Sequence, residues 1–291
     1  MSNKKRNNKK RHKYKIQIPT IIFTLFGAYI ISRGGKVWVG NLIKLLMPFG
    51  LSSNAIRLAL SRMSRQKLLI SRKKGRSSYY SLSKRGYNWM LYGRHRGLER
   101  EYKYWDKRWR FLIYNIPEKL RSRRDALRKK LYSMGFGSLG PSIWLSPYDF
   151  EKELMMILDK LKLSEFVETF ESKYTGIHDE KELIKKAWDI KSLEYRYKEF
   201  LNKYSPRFVF YKNKIKKKEY IDLGECFKDR FKSSAEFIDI ALDDPMLPRQ
   251  LLPVDWVGYK SKEIHKELQE ILAPEANKFV DEIFKESEIK L

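Results

Sequence analysis

Apolar and polar residues repeat with the period of a helix between residues 52 and 66. The apolar residues recur at spacings of three and four, which places them on one face of an amphipathic helix. They are Ala55, Ile56, Ala59, Leu60 and Met63. The opposite face carries Asn54, Arg57, Ser61 and Arg65, with Ser53 and Arg62 at its edges. Either Ser52 or Ser53 can cap the free backbone N–H groups at the start of this helix.

Two short runs with strand propensity follow this predicted helix. Residues 68–70 and residues 77–82 flank a basic segment that contains Gly75. Two such runs joined by a glycine-containing turn predict a β-hairpin. The tip of the hairpin would be positively charged, because it carries Lys73, Lys74 and Arg76.

Two apolar stretches precede the amphipathic helix, and each has the length of a helix. They cover residues 19–32 and residues 39–48, and a further helix is predicted over residues 84–97. The order helix, helix, polar-faced helix and basic hairpin predicts a winged helix-turn-helix unit over residues 16–98. In such a unit the polar-faced helix enters the major groove, where Asn and Arg side chains pair with base edges.

The first apolar stretch is too short to predict a membrane span. Residues 18–31 contain Pro19 and Gly27, and a helix needs about 20 apolar residues to cross a bilayer. We therefore expect a buried helix rather than an export signal or an anchor. The single cysteine, Cys226, excludes an intramolecular disulfide and fits a reducing cytoplasm.

The charge of the chain is concentrated in its first third. Residues 1–98 hold 23 Lys or Arg and no Asp or Glu, so they carry +23 of the formal net charge of +27. A structural surface normally mixes both signs, whereas a surface without acids suits a polyanion such as double-stranded DNA. The basic tail, residues 1–15, is predicted to be a disordered arm. It would either contact DNA phosphates or act only as a solubilising tail.

The remaining chain predicts an α+β multidomain protein. After a linker at residues 99–108, residues 109–178 alternate as β-α-β-β-α-β, which is the ferredoxin-like plan. Residues 179–291 have helical periodicity throughout, and they include two predicted last helices at residues 258–273 and 274–287.

No catalytic arrangement is apparent in the sequence. It contains no glycine-rich nucleotide loop and no helical histidine pair, and its four histidines show no zinc-ligand spacing. We therefore expect no enzymatic activity, no metal and no cofactor.

Several stretches together resemble the phenylacetic acid degradation repressor family, PaaX. They include TLFGAYIISRGGKVWVGNLIKLLMPFGLS, GRSSYYSLSKRG, WDKRWRFLIYNIPE, GFGSLGPSIWLSP and DPMLPRQLLPVDWVG, which occur in this order along the chain. The resemblance implies an N-terminal winged helix, a middle domain like the small nuclease of CRISPR adaptation and a helical C-terminal domain. It also implies a homodimeric repressor that an acyl-CoA such as phenylacetyl-CoA releases from operator DNA.

The middle segment departs from the pattern of a metal-dependent nuclease. Its first strand ends in Tyr114-Asn115-Ile116, where the similar strand usually carries Asp. A nuclease needs carboxylates to hold its cation, so Asn115 favours a dimerisation or sensing scaffold. A nuclease that uses this segment, with Asp106 near its first strand, is the alternative.

The favoured function is a transcriptional repressor that binds an inverted repeat. Base edges would be contacted from the polar helix face by Ser53, Asn54, Arg57 and Ser61. Phosphates would be contacted by Arg62, Arg65, Lys73, Lys74 and Arg76, because phosphate contacts position a protein and base contacts select the sequence.

Overall fold

The computed structural model describes residues 18–94, 104–176 and 179–288. The predicted arm at residues 1–15 and the first part of the predicted linker, residues 99–103, lie outside these ranges. None of the described helices is both long enough and apolar enough to cross a membrane.

Four α-helices and a three-stranded sheet form the described part of the first segment. Helix α1, Ile18–Leu25, continues through a π-helical turn, Phe26–Ile30, and a 3₁₀ turn. The other elements are β1 (Lys36–Trp38), α2 (Val39–Leu46), α3 (Ser53–Arg65), β2 (Leu69–Lys74), β3 (Ser77–Leu82) and α4 (Lys84–Arg94). The predicted order of helices and hairpin is therefore confirmed.

Strand β3 is the centre of this first sheet, whose order is β1-β3-β2. Lys74 pairs with Ser77, so Gly75 and Arg76 form the turn of the hairpin. Gly75 has a φ of +57°, a left-handed conformation that glycine adopts without steric cost. The glycine in the basic segment thus permits the tight turn that the sequence predicted.

The middle segment contains a four-stranded antiparallel sheet with the order β5-β6-β4-β7. Its elements are β4 (Trp109–Tyr114), α5 (Arg121–Met134), β5 (Gly137–Gly140), β6 (Ile143–Ser146), α6 (Glu151–Leu161) and β7 (Val167–Ser172). The predicted order β-α-β-β-α-β is confirmed. One face of the sheet packs with α5 and α6 in a core that includes Leu112, Leu127, Trp144, Leu154 and Val167.

The last segment is helical, as predicted. Its helices are α7 (Glu180–Ala187), α8 (Ile190–Lys216), α9 (Leu223–Asp243) and α10 (Val257–Glu288).

The prediction of two separate helices after residue 257 was wrong, because α10 continues through Pro274. A proline removes one helical hydrogen bond, here the bond to the carbonyl of Glu270. Glu270 is exposed, so water can solvate that carbonyl. Leu272 and Ala276 flank the proline and are buried, so packing against the bundle stabilises the uninterrupted helix.

The first and last segments share one continuous hydrophobic core. The ring of Tyr29 lies 5.4 Å from that of Phe227, and the ring of Phe49 lies 4.8 Å from that of Phe231. Arg33 adds an ion pair, because its Nε lies 2.7 Å from Oδ1 of Asp281. The boundaries predicted at residues 16–98 and 179–291 therefore separate two parts of the chain that pack as one core.

Helix α4 packs closely against the base of the hairpin at Gly86. The Oγ of Ser83 accepts a hydrogen bond from the backbone N–H of Gly86 at 3.0 Å and donates one to the carbonyl of Lys67 at 2.6 Å. A Cβ on Gly86 would lie 2.0 Å from the carbonyl oxygen of Leu68. Only a residue without a side chain allows this approach.

We expect Gly86→Ala to lower the free energy of unfolding by about 1–3 kcal/mol, the range for overpacked sites. The matched control is Gly93→Ala in the same helix, where a Cβ would meet nothing within 4 Å. Alanine there should cost nothing and can add up to about 1 kcal/mol through helix propensity. Urea unfolding of both variants measures the difference. Equal stabilities of the Gly86→Ala and Gly93→Ala variants would contradict the close packing of α4 at Gly86.

Candidate nucleic-acid interface

Helix α3 buries one face and exposes the other. Its buried residues are Ile56, Ala59, Leu60 and Met63, and the helix packs against α1 and α2. Every predicted contact residue on α3 is exposed, namely Ser53, Asn54, Arg57, Ser61, Arg62 and Arg65. The apolar spacing in the sequence therefore located the buried face correctly.

The start of α3 is fixed by Ser52 rather than Ser53. The Oγ of Ser52 accepts a hydrogen bond from the backbone N–H of Ala55 at 3.2 Å. Ser53 is the first helical residue and is exposed. The Ser53 hydroxyl is therefore available to a ligand, while the Ser52 hydroxyl is used by the fold.

A tight turn joins α3 to the hairpin. Lys67 has a φ of +57°, and its backbone N–H donates to the carbonyl of Ser64 at 2.9 Å. The N–H of Leu68 donates to the carbonyl of Met63 at 2.9 Å, and Leu69 is buried at the start of β2. These contacts fix the direction in which the hairpin leaves the helix.

The basic residues of the hairpin lie at its distal end. Lys73 and Lys74 close β2, Arg76 lies in the turn, and all three side chains are exposed. The structure thus places the predicted residues in two groups, one along the outer face of α3 and one at the hairpin tip.

These cations are not neutralised within the described part of the chain. Residues 18–94 contain no acidic residue. Within the described ranges, no hydrogen bond or ion pair involves the side chains of Arg57, Arg62, Arg65, Lys73, Lys74 or Arg76. Arg33 differs, because it is paired with Asp281 of α10. The outer face of α3 and the hairpin tip therefore present uncompensated positive charge, which attracts polyanions.

Sequence reasoning missed Leu58, which lies in the middle of the exposed face of α3. Its side chain is 58% exposed, although α3 buries its other large aliphatic residues. The sequence does indicate that Leu58 is exposed, because Leu58 falls outside the spacing of three and four that the buried residues follow. An exposed apolar side chain on such a face can contact the methyl group of thymine. Arg72 of β2 is an exposed cation that was also not among the predicted contact residues.

The middle segment does not bring together carboxylates for a metal ion in the described residues, where no group of three His, Cys, Asp or Glu has a metal-binding arrangement. Asn115 is exposed just after β4. Asp106 accepts a hydrogen bond from Nη1 of Arg110 at 2.8 Å. That guanidinium holds the pKa of the Asp106 carboxyl below its usual value. Asp106 therefore forms an ion pair with Arg110 of β4.

Comparisons with known proteins agree with this architecture. Residues 17–86 match the model of a PaaX-like protein, residues 102–184 match the PaaX central Cas2-like domain, and residues 188–282 match the PaaX-like C-terminal domain. The fold is a mixed α+β fold with a Cas2-like middle domain and a helical C-terminal region. The chain belongs to the PaaX-like family.

Two individual relatives extend over most of the chain. The transcriptional repressor PaaX of Escherichia coli (strain K12) is 26% identical over 266 residues, which cover 90% of this chain and 83% of that protein. A structure described as the uncharacterized protein Rv0674 from Mycobacterium tuberculosis aligns with a TM-score of 0.59 and 20% identity. That alignment covers 92% of this chain and 99% of the other, and it supports the fold alone.

We expect Ser52→Ala to reduce the free energy of unfolding by about 1 kcal/mol, because it removes the side-chain cap of α3. Ser53→Ala is the matched control and should leave stability unchanged, because the Ser53 hydroxyl lies outside the cap. Thermal and denaturant unfolding of the two single variants measure the contrast. A larger loss for Ser53→Ala would show that the helix starts one residue later.

Proposed function

We propose that this protein is a DNA-binding transcriptional repressor and that residues 16–98 act as a winged helix-turn-helix unit. The observation that carries the proposal is the outer face of α3, which is exposed, polar and cationic in a segment without acids. The order of helices and hairpin around α3 supports the assignment. The repressor role is further supported by the relative from Escherichia coli, which is a transcriptional repressor.

The residues on α3 and on the hairpin would make two kinds of DNA contact, to base edges and to phosphates. Ser53, Asn54, Arg57 and Ser61 would contact base edges from α3, where Asn favours adenine and Arg favours guanine. Arg62, Arg65 and the tip residues Lys73, Lys74 and Arg76 would contact phosphates. Such contacts supply affinity for any DNA sequence and make binding sensitive to salt.

The middle and last segments would serve dimerisation of the protein and binding of an effector. We propose that the ferredoxin-like middle segment, residues 109–178, pairs two chains into a homodimer in the cytoplasm. A two-fold dimer would read an inverted repeat whose half-sites are separated by whole turns of the duplex. An acyl-CoA such as phenylacetyl-CoA would release the dimer from DNA, as the family resemblance implies.

The nuclease alternative would require the middle segment to hold a cation. The ion pair between Asp106 and Arg110 opposes this role, because the guanidinium competes with a metal ion for the carboxylate. Incubation of the protein with DNA or RNA and Mg²⁺ or Mn²⁺ tests the alternative. Cleavage that disappears on changing Asp106 or Asn115 would favour a nuclease over a repressor.

We expect Arg57→Ala and Arg76→Ala to weaken DNA binding in different ways. Arg57→Ala should reduce affinity for the operator by about 1–3 kcal/mol, because a bidentate pair to one base is lost, and it should reduce affinity for random DNA much less. Arg76→Ala should weaken both DNAs by a similar factor and lower the salt slope of binding by about one. Electrophoretic mobility and fluorescence anisotropy over a salt series measure both effects.

The control removes one positive charge elsewhere. Lys129 is exposed on α5 of the middle segment, so Lys129→Ala changes net charge equally and should leave operator affinity almost unchanged. Equal losses on operator and random DNA for Arg57→Ala would reject a base-reading role for Arg57. A wild-type protein that does not bind duplex DNA in low salt would reject the proposed function itself.

A further inference from the structure

A groove of about 580 Å³ lies between α6 and the edge strand β7 of the middle segment. Its floor is apolar and comes from residues buried in the core of that segment, such as Leu112, Leu154 and Val167. Two further lining residues are large, apolar and exposed, Met155 by 60% and Phe170 by 54%. The groove therefore offers apolar surface that a further chain segment could cover.

The charged residues that line this groove are mostly acidic. They are Asp149, Glu151, Asp159 and Glu171, with Arg110 as the one base in the described lining. Nη2 of Arg110 lies 2.9 Å from Oε2 of Glu171, so the charges of this pair offset each other. The other three acids are exposed, and no basic side chain in the described part of the chain forms an ion pair with them. Three uncompensated carboxylates thus line a groove in a chain whose formal net charge is +27.

Helix α6 brings its acidic side chains to the groove and leaves basic ones outside it. Glu151, Met155 and Asp159 recur every four residues and therefore share one helix face, and all three line the groove. Lys152 and Lys160 of the same helix lie outside the lining. Among the residues that the structure describes, no three acidic, histidine or cysteine side chains form a group that could hold a metal ion. The separated carboxylates therefore suit a chain of positive charges rather than a single cation.

The N-terminal arm, residues 1–15, has the complementary charge. It carries eight Lys or Arg and no Asp or Glu, and it lies outside the described residues. Lys and Arg side chains have hydrocarbon stems that cover apolar surface while their charged ends contact carboxylates. An Arg guanidinium also stacks favourably on an exposed aromatic ring such as that of Phe170. The arm therefore matches both the acidic and the apolar parts of the groove.

The start of α1 and the groove are linked by a short series of contacts. Thr20 lines a cavity of about 480 Å³ between α1, α4, α9 and α10, together with Leu242 near the end of α9. Shortly after Leu242, the carbonyl of Met246 accepts a hydrogen bond from the hydroxyl of Tyr148. The Tyr148 ring lies 6.2 Å from the ring of Phe150, which lines the groove. An extended arm of this length spans up to about 50 Å, so the arm can reach the groove.

We propose that the arm at residues 1–15 docks in the groove of its own chain between α6 and β7 when DNA is absent, with Lys and Arg side chains paired to Glu151 and Asp159. The tether gives the arm a local concentration of about millimolar at this site. Duplex DNA offers phosphates to the same cations, so the groove and DNA compete for the arm. This competition rests on the proposed function, whereas docking in the groove stands without it.

Docking is tested on the full-length protein without DNA, by carbodiimide cross-linking in low salt. The reagent joins a carboxylate to a lysine amine that contacts it, and chymotryptic mass mapping identifies the joined peptides. Arm lysines should be joined to Glu151 or Asp159. The control acids Glu153 and Glu165 should not be joined, because they are exposed on the same segment but lie outside the lining. The cross-links should be lost in about 1 M NaCl, where the Debye length falls to about 3 Å.

Two double variants remove the same number of charges from the middle segment. Glu151→Gln with Asp159→Asn should raise the rate of tryptic cleavage within the arm at least about threefold, as expected for the loss of two exposed ion pairs. Glu153→Gln with Glu165→Gln should be cleaved like wild type. Circular dichroism and thermal unfolding establish that both double variants are folded.

Three results would overturn docking within the chain. The first is a set of cross-links spread equally over the control acids, and the second is an equal cleavage rate for the two folded double variants. The third comes from a mixture of isotope-labelled and unlabelled protein. Cross-links found only between labelled and unlabelled chains would place the arm in the groove of a second copy.

Competition with DNA is tested separately, by fluorescence anisotropy with random duplex DNA. Glu151→Gln with Asp159→Asn should bind this DNA at least about threefold more tightly than Glu153→Gln with Glu165→Gln, because the released arm is free to contact phosphates. Added DNA should also suppress the cross-links in wild type. Equal DNA affinities of the two double variants would refute the competition. A wild-type protein that binds no DNA would refute the repressor function and leave the cross-linking result unaffected.

Discussion

The arrangement of the candidate interface depends on the packing of one apolar helix face. Ile56, Leu60 and Met63 of α3 are buried against α1 and α2. A helix that buries such a stripe must present its remaining side chains to solvent. The exposed positions of Asn54 and Arg57 are thus a consequence of core packing. Any change that rotates α3 would bury these side chains or point them in another direction.

Charge acts on a surface that packing has already defined. The hydrophobic stripe decides which residues point outward, and the absence of acids in residues 18–94 leaves their charge uncompensated. The turn through Lys67 and the glycine at position 75 then direct a second cationic group away from the helix. Short-range backbone geometry and long-range electrostatics therefore support the same surface.

The amphipathic helix, the hairpin and the β-α-β-β-α-β order could be predicted because each is encoded by local spacing. The sequence could not decide between Ser52 and Ser53 as the cap, since a serine at either position can cap a helix. Only the backbone geometry selects Ser52. The break predicted at Pro274 was wrong because burial of Leu272 and Ala276 outweighs one lost hydrogen bond. Leu58 was missed because every predicted contact residue was polar or basic, although the position of Leu58 lies outside the buried stripe.

The cavity between α1, α4, α9 and α10 could not be predicted, since its walls are formed by residues that lie far apart in the sequence, such as Phe23 and Arg230. In the sequence, Phe23 is typical of a core residue of its helix, and Arg230 is one of many cations in another helix. Only the shared core of the first and last segments brings them to one space. The predicted division of the chain at residue 98 treated these segments as separate units, but the Tyr29–Phe227 contact and the Arg33–Asp281 ion pair bind them together. A structural change in the last segment can therefore be transmitted through direct contacts to α1, and from α1 to α3.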